Sequence, residues 1–332
     1  GQAAGQGILM RSGEAFQIMG EIGIVVFDKT GTLTRGEPAV QSVVALGASD
    51  EAEVLATAAA AESASEHPVA RAIVDAAERR GIDVALAASF QSHTGRGVEA
   101  TVDGAYVLVG KPGFLAEQDI DVAAAMSRQQ KLEGRGMTVV AVGRDGSLLG
   151  LVGIGDEVEP DAAKTIRRLK DAGITTVMMT GDNRRTAEAV AAEVGIARVL
   201  AEVLPADKAS EVRRLQQEGQ RVAMVGDGIN DAPALTQADV GFAIGAGTDI
   251  AIECADVVIM SDRLGALADA REIGIRSYAK TKQNLTLAFA FNGVGVPAAA
   301  TGLVHPIWAM AAMVASVTTV LTNSFARGLL RR

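Results

Sequence analysis

The stretch Ile22-Gly23-Ile24-Val25-Val26-Phe27-Asp28-Lys29-Thr30-Gly31-Thr32 decides how the chain is read. Its first six residues form an unbroken apolar run, the pattern of a strand buried on both faces, and such strands belong to parallel sheets. Ligands of open α/β sheets bind beyond the carboxyl ends of the strands, so Asp28 is expected to face a crevice, with Gly31 letting backbone amides approach a phosphate. A carboxylate so placed is a candidate nucleophile for phosphoryl transfer. A strand followed by an Asx-type turn is the alternative reading.

Two further strand ends and a helix start point the same way. The apolar run Val222–Val225 leads into Gly226-Asp227-Gly228-Ile229-Asn230-Asp231. Carboxylates from two strand ends suit a hard divalent cation, and such a cation offsets the repulsion between Asp28 and an incoming phosphate. Asp28 and Asp227 are therefore the expected magnesium ligands. Asn230 and Asp231 are expected to orient water or phosphate, or to cap the next helix. In Val177-Met178-Met179-Thr180-Gly181-Asp182-Asn183, a hydroxyl precedes a helix start, an arrangement that binds phosphate oxygens through helix amides. Lys208, just inside a helix after Pro205-Ala206-Asp207, offers a positive charge to the transferred group, although a solvated surface lysine reads the same way.

In this order the four pieces resemble the P-type ATPases of the haloacid dehalogenase-like superfamily, over essentially the whole chain. The resemblance implies that Asp28 is phosphorylated, with Lys29, Gly181, Asp182, Asn230 and Asp231 around it. Thr180 and Lys208 are implied to contact the phosphoryl group. Asp227 and the carbonyl of Thr30 are implied to complete the Mg2+ site. Phosphatases of the superfamily usually carry a second aspartate where Thr30 stands, and threonine cannot shuttle that proton. A persistent phosphoenzyme follows, which suits a transport cycle better than simple hydrolysis; a phosphatase or a non-catalytic nucleotide-binding module is the alternative.

The fold class expected is α/β: a Rossmann-like parallel-sheet domain from residues 1–38 and 150–265, with residues 151–260 supplying alternating strands and helices, among them helices 161–172 and 184–194. The intervening residues 39–149 are too long for a loop, so they form an inserted α+β domain. Its alanine-rich start at 49–80 reads as helical. Residues 98–109 read as a hairpin turning at Asp103-Gly104, followed by a helix and a strand at 138–142. Ser65-Glu66-His67-Pro68 alone is a turn signal. With Glu62 upstream and Gly95-Arg96-Gly97 downstream it resembles the nucleotide-binding signature of heavy-metal P-type ATPases, which implies ATP held by Glu62, His67, Gly95 and Gly97. That family often has asparagine where Lys111 stands.

At the C-terminus, 285–304 and 306–326 are charge-free stretches separated by His305, with Lys280 and Lys282 before them and Arg327, Arg331 and Arg332 after. They are expected to form a transmembrane hairpin within residues 266–332, with both ends cytosolic. Asn292, Met313 and Ser316 are the expected contacts for a transported soft cation. Phe291-Asn292 and Met313-Val314-Ala315-Ser316-Val317 resemble the Tyr-Asn and Met-x-x-Ser-Ser patterns of copper exporters, which implies Cu+. A net charge of −9 argues against nucleic-acid partners, and a single cysteine, Cys254, excludes an intrachain disulfide. A mean hydropathy of +0.23 is high for a purely soluble chain. No Cys-Pro-Cys-like gate or Thr-Gly-Glu actuator loop is found, and the chain does not begin with Met. It is expected to be the C-terminal part of a pump in a lipid bilayer, the plasma membrane in a prokaryote. Its partners would be ATP, the heavy-metal ion, and the pump's remaining membrane helices and actuator domain.

Overall fold

The computed structural model describes residues 5, 7–227, 231–245, 253–261, 263–302 and 305–329. Its seven-stranded sheet runs in the order Ile8–Met10, Val257–Ile259, Val240–Ile244, Arg221–Gly226, Ile22–Asp28, Thr175–Met179 and Arg198–Leu200. The strand Ile22–Asp28 lies inside it, parallel to both neighbours. Its apolar run is continuous because both faces are covered: Val25 and Phe27 point into one core, Ile24 and Val26 into the other. The sheet is not wholly parallel, since Ile8–Met10 pairs antiparallel with Val257–Ile259 at the edge.

The second sheet has six strands, in the order Ala39–Ala45, Ser147–Gly155, Thr138–Arg144, Ala105–Gly110, Gly97–Val102 and Ser89–His93, all antiparallel. Helices Glu51–Glu62 and Pro68–Arg79 cover one face, while Pro112–Glu117 and Met126–Glu133 lie against the other. The expected hairpin is present, with Asp103 and Gly104 at φ of 51° and 82°, the left-handed pair that a tight two-residue turn needs. One expectation is corrected here. The strand beginning before Leu151 belongs to this antiparallel sheet, because Asp145 and Gly146, at φ of 48° and 78°, make a second turn of the same kind and fold it back on Thr138–Arg144.

Helices Ala162–Asp171 and Arg184–Val194 form as expected, the second ending at Gly195 with φ of 83°. Asp161 does not cap its own helix. Its carboxylate accepts instead from the Gly265 amide at 2.8 Å, tying the start of the C-terminal helix to the sheet.

That helix, Gly265–Ala300, is continuous for 36 residues through Pro297, and Pro306–Leu329 packs against it. Its first turns are buried on the parallel-sheet core, where Arg168 pairs with Asp269 at 2.9 Å. Asn323 donates to Asn284 at 2.8 Å and Lys280 donates to the Asn323 carbonyl at 2.7 Å, so polar groups join the two helices. Among the described residues, no helix is long and apolar enough to cross a membrane. The helix pair is thus present, and its expected crossing of a bilayer is not shown by these helices.

Candidate functional site

The register of the sheet brings the motif residues level. Phe27 pairs with Val225 and Asp28 pairs with Met179, so Asp28, Asp227 and Thr180 leave the sheet at one edge, within a residue of one another. Carboxylate oxygens of Asp28, Asp227 and Asp231 lie within 4.8 Å of one another. Lys208 enters this cluster from the start of helix Lys208–Gln216, 2.5 Å from Asp28 Oδ1 and 2.6 Å from Asp231 Oδ1, and is itself buried. It is no solvated surface lysine. Asp231 begins helix Ala232–Gln237 without a side-chain capping bond, so its carboxylate is committed to Lys208.

Burial, and then the nearby Asp231 carboxylate, push the Asp28 carboxyl up to about 7, with Lys208 pulling the other way. Burial and Asp231 likewise raise Asp227 to about 6. Burial works against the Lys208 charge, but Asp28 and Asp231 outweigh it and the ammonium is held more firmly than usual. One ammonium among three carboxylates leaves an excess of negative charge in a poorly solvated place. Oxygen donors and excess negative charge fit a hard divalent cation.

The loop Lys29–Leu33 wraps the cluster. Gly31 sits at φ of 71°, and a Cβ there would lie 1.8 Å from Asp227 Oδ2. Gly31→Ala is therefore expected to add backbone strain of about 1–2 kcal/mol and to displace Asp227, weakening magnesium binding at least ten-fold by calorimetric titration. Lys29 is turned from Asp28 toward Asp182, 2.5 Å away. Thr180 is buried, and its hydroxyl accepts from the Asp182 amide at 3.1 Å. Gly181 lies beside the Val203 carbonyl, and Asn183 caps the following helix by accepting from the Thr186 amide at 3.0 Å. Asn230 lies outside the described residues.

The Asp156 carboxylate accepts from Thr34 Oγ1 at 2.5 Å and from the amides of Gly36 and Glu37 at 3.2 Å each. It clamps the two chain crossings between the sheets.

Beside the antiparallel sheet, Glu62, the last residue of helix Glu51–Glu62, is buried, and burial pushes its carboxyl up to about 7. His67 caps helix Pro68–Arg79, its Nδ1 accepting from the Val69 amide at 3.2 Å, so the neutral ring presents Nε2–H outward. Burial also lowers its pKa, which favours that form. Gly95 stands at φ of 72° in the turn before Gly97–Val102. A Cβ on Gly97 would lie 2.4 Å from the Val109 carbonyl oxygen, so the second glycine has a packing reason of its own. Among the described residues, no hydrogen bond or ion pair joins Glu62 or His67 to Gly95 or Gly97. In the C-terminal pair, Met313 and Asn292 are exposed and Ser316 is half-buried, and no hydrogen bond joins them.

Comparison with known proteins places the chain in a family. A family model described as haloacid dehalogenase-like hydrolase matches residues 22–239. The chain is 48% identical over 327 residues to the probable copper-exporting P-type ATPase V of Mycobacterium tuberculosis (strain ATCC 25618 / H37Rv), covering 98% of this chain and 42% of that protein. It is 43% identical over 324 residues to the copper-exporting P-type ATPase of Bacillus subtilis (strain 168), covering 98% and 40%. The chain thus spans well under half the length of these curated relatives. A solved zinc-transporting PIB-type ATPase in its E2.Pi state superposes with a TM-score of 0.73 at 36% identity, over 98% of this chain and 53% of that one. Matched by the family model from Ile22 to Asp239, across the strands that carry Asp28, Thr180 and Asp227, the chain belongs to the haloacid dehalogenase-like hydrolases and is similar within them to the heavy-metal P-type ATPases.

Proposed function

We propose that this chain is the catalytic part of an ATP-driven heavy-metal pump and that Asp28 accepts the γ-phosphate of ATP as an aspartyl phosphate. The observation that supports it most is the buried cluster at one sheet edge, where Lys208 bridges Asp28 and Asp231 beside Asp227. The carboxylate oxygen of Asp28 attacks the γ-phosphorus in line, the new O–P bond forms as the bond to the β-phosphate oxygen breaks, and ADP leaves. Lys208 neutralises charge on the transferred group, and Thr180 and the amides after it hold its oxygens. Magnesium, held by Asp28, Asp227 and the Thr30 carbonyl, would supply charge neutralisation between nucleophile and phosphate. Glu62, His67, Gly95 and Gly97 seat the nucleotide, and the inserted sheet delivers its phosphate end to Asp28. Without a second acid at Thr30, the phosphoenzyme waits for a base supplied by another domain.

The copper-exporting relatives support monovalent copper as cargo, with Asn292, Met313 and Ser316 as contacts completed by further helices. In the whole pump the C-terminal helix pair lies in the bilayer among those helices, with both sheets in the cytosol. The test is acid-stable labelling with γ-labelled ATP and magnesium. The chain should take up label and Asp28→Asn should take up none; equal labelling of both, or none in the parent chain, refutes the assignment.

A further inference from the structure

The seam between the two sheets carries a cluster that neither the family comparison nor the motifs assign. Glu133, at the end of helix Met126–Glu133, is a buried carboxylate. Its Oε1 accepts from Gln129 on the same helix at 2.8 Å and from Asn183 Nδ2 at 3.2 Å, while Oε2 meets Arg185 Nη1 at 3.2 Å. Asn183 and Arg185 belong to the other lobe, at the start of the helix that follows Thr180. Just beyond Glu133, the Met137 carbonyl accepts from the buried Thr186 hydroxyl at 3.0 Å, and Thr138 Oγ1 donates to Asp182 Oδ1 at 3.3 Å. Gly136 lies so close to Val190 that a Cβ would come within 3.3 Å of its methyl group. Four residues of one lobe, Glu133, Gly136, Met137 and Thr138, therefore grip the start and first turns of one helix in the other.

We infer that Glu133 is a positioning residue: it latches the nucleotide-bearing lobe onto the phosphate-binding helix start, so that a nucleotide carried by that lobe is brought up to Asp28. The inference rests on the reading of Asp28 as phosphoryl acceptor. Two physical points carry it. A buried carboxylate is costly unless its lone pairs are filled, and two of the three donors to Glu133 come from across the seam, so the docked state fills in place of water the bonds that docking removes. All of these groups are readily hydrated, so undocking returns them to water at modest cost, as a movable seam requires. The far end of the chain of contacts is the active site itself, because Asp182 uses its other oxygen to hold Lys29, next in sequence to Asp28.

The closing experiment compares two phosphoryl donors on the whole chain. ATP needs the docked lobe; acetyl phosphate reaches Asp28 without it. Glu133→Ala should lower the rate of acid-stable labelling from ATP at least ten-fold, leave the ATP concentration for half-maximal rate within two-fold, and leave labelling from acetyl phosphate unchanged. Combining Glu133→Arg with Arg185→Glu should recover part of the rate that Glu133→Arg loses. Small-angle scattering reads docking without turnover, and Glu133→Arg should enlarge the radius of gyration relative to the parent. Parent-like labelling from ATP, equal loss with both donors, or an unchanged scattering profile would overturn the latch. A parent chain that takes label from neither donor refutes instead the role of Asp28, and the scattering result still decides the latch.

Discussion

Lys208→Met should unfold the metal-free chain more readily than any other single change at the site. Lys208 is the cation that touches both Asp28 and Asp231, and all three side chains are buried. Methionine keeps most of the volume and removes the charge, so the loss is electrostatic. Removing one partner of a buried ion pair costs about 3–5 kcal/mol, because the remaining charge is left uncompensated. In chelator at pH 8 the urea midpoint should fall accordingly; at pH 5, where Asp28 and Asp227 take up protons, the loss should shrink. Magnesium should restore part of it by replacing one positive charge with another. Labelling of Asp28 from ATP should slow by roughly 10²–10³-fold, the scale of losing one charge stabiliser of the transition state. An unchanged midpoint in chelator at pH 8 would mean that Lys208 does not compensate the cluster.

Magnesium should reverse the pH dependence of stability. In the metal-free chain Asp28 titrates at about 7 and Asp227 at about 6, against 3.8 for the unfolded groups. Between pH 4 and 7 the folded state therefore binds more protons than the unfolded one, and stability must decline as pH rises. Below pH 3.8 the penalty is absent; above 7 it is fully present. Melting temperature in chelator should drop by about 5 °C or more from pH 5 to pH 8, and Asp28→Asn should flatten that slope and melt higher than the parent at pH 8. A divalent cation prefers the deprotonated carboxylates, so saturating magnesium should stabilise the parent most at pH 8 and release protons on binding at pH 6. Calorimetry in buffers of different ionisation heat measures that release. A flat melting profile in chelator would show that neither burial nor the neighbouring carboxylates raise Asp28 and Asp227 in the folded chain.

Some of this was readable from residue order alone. The buried run before Asp28 required a two-sided sheet, since six consecutive apolar residues can be satisfied only when both faces are covered. The Asp103-Gly104 turn and the ends of helix Arg184–Val194 followed from local backbone preferences. The Asp145-Gly146 turn carries the same local signal, but the apolar residues after it fit a parallel strand equally well, so only the pairing decides.

The sequence by itself determined the strand-end motifs and the family to which they belong, because spacing along a strand and the residue after it are local properties. Only the tertiary structure decided what each polar side chain does. Asp231 gives up a helix cap for Lys208, Asp161 reaches across to Gly265, Lys29 turns to Asp182, and Glu133, in a helix that advertises nothing, closes the seam. The reason is physical: a charge's role depends on which oppositely charged or hydrogen-bonding groups share its desolvated surroundings. Those groups come from segments up to 180 residues apart, as with Lys208 and Asp28.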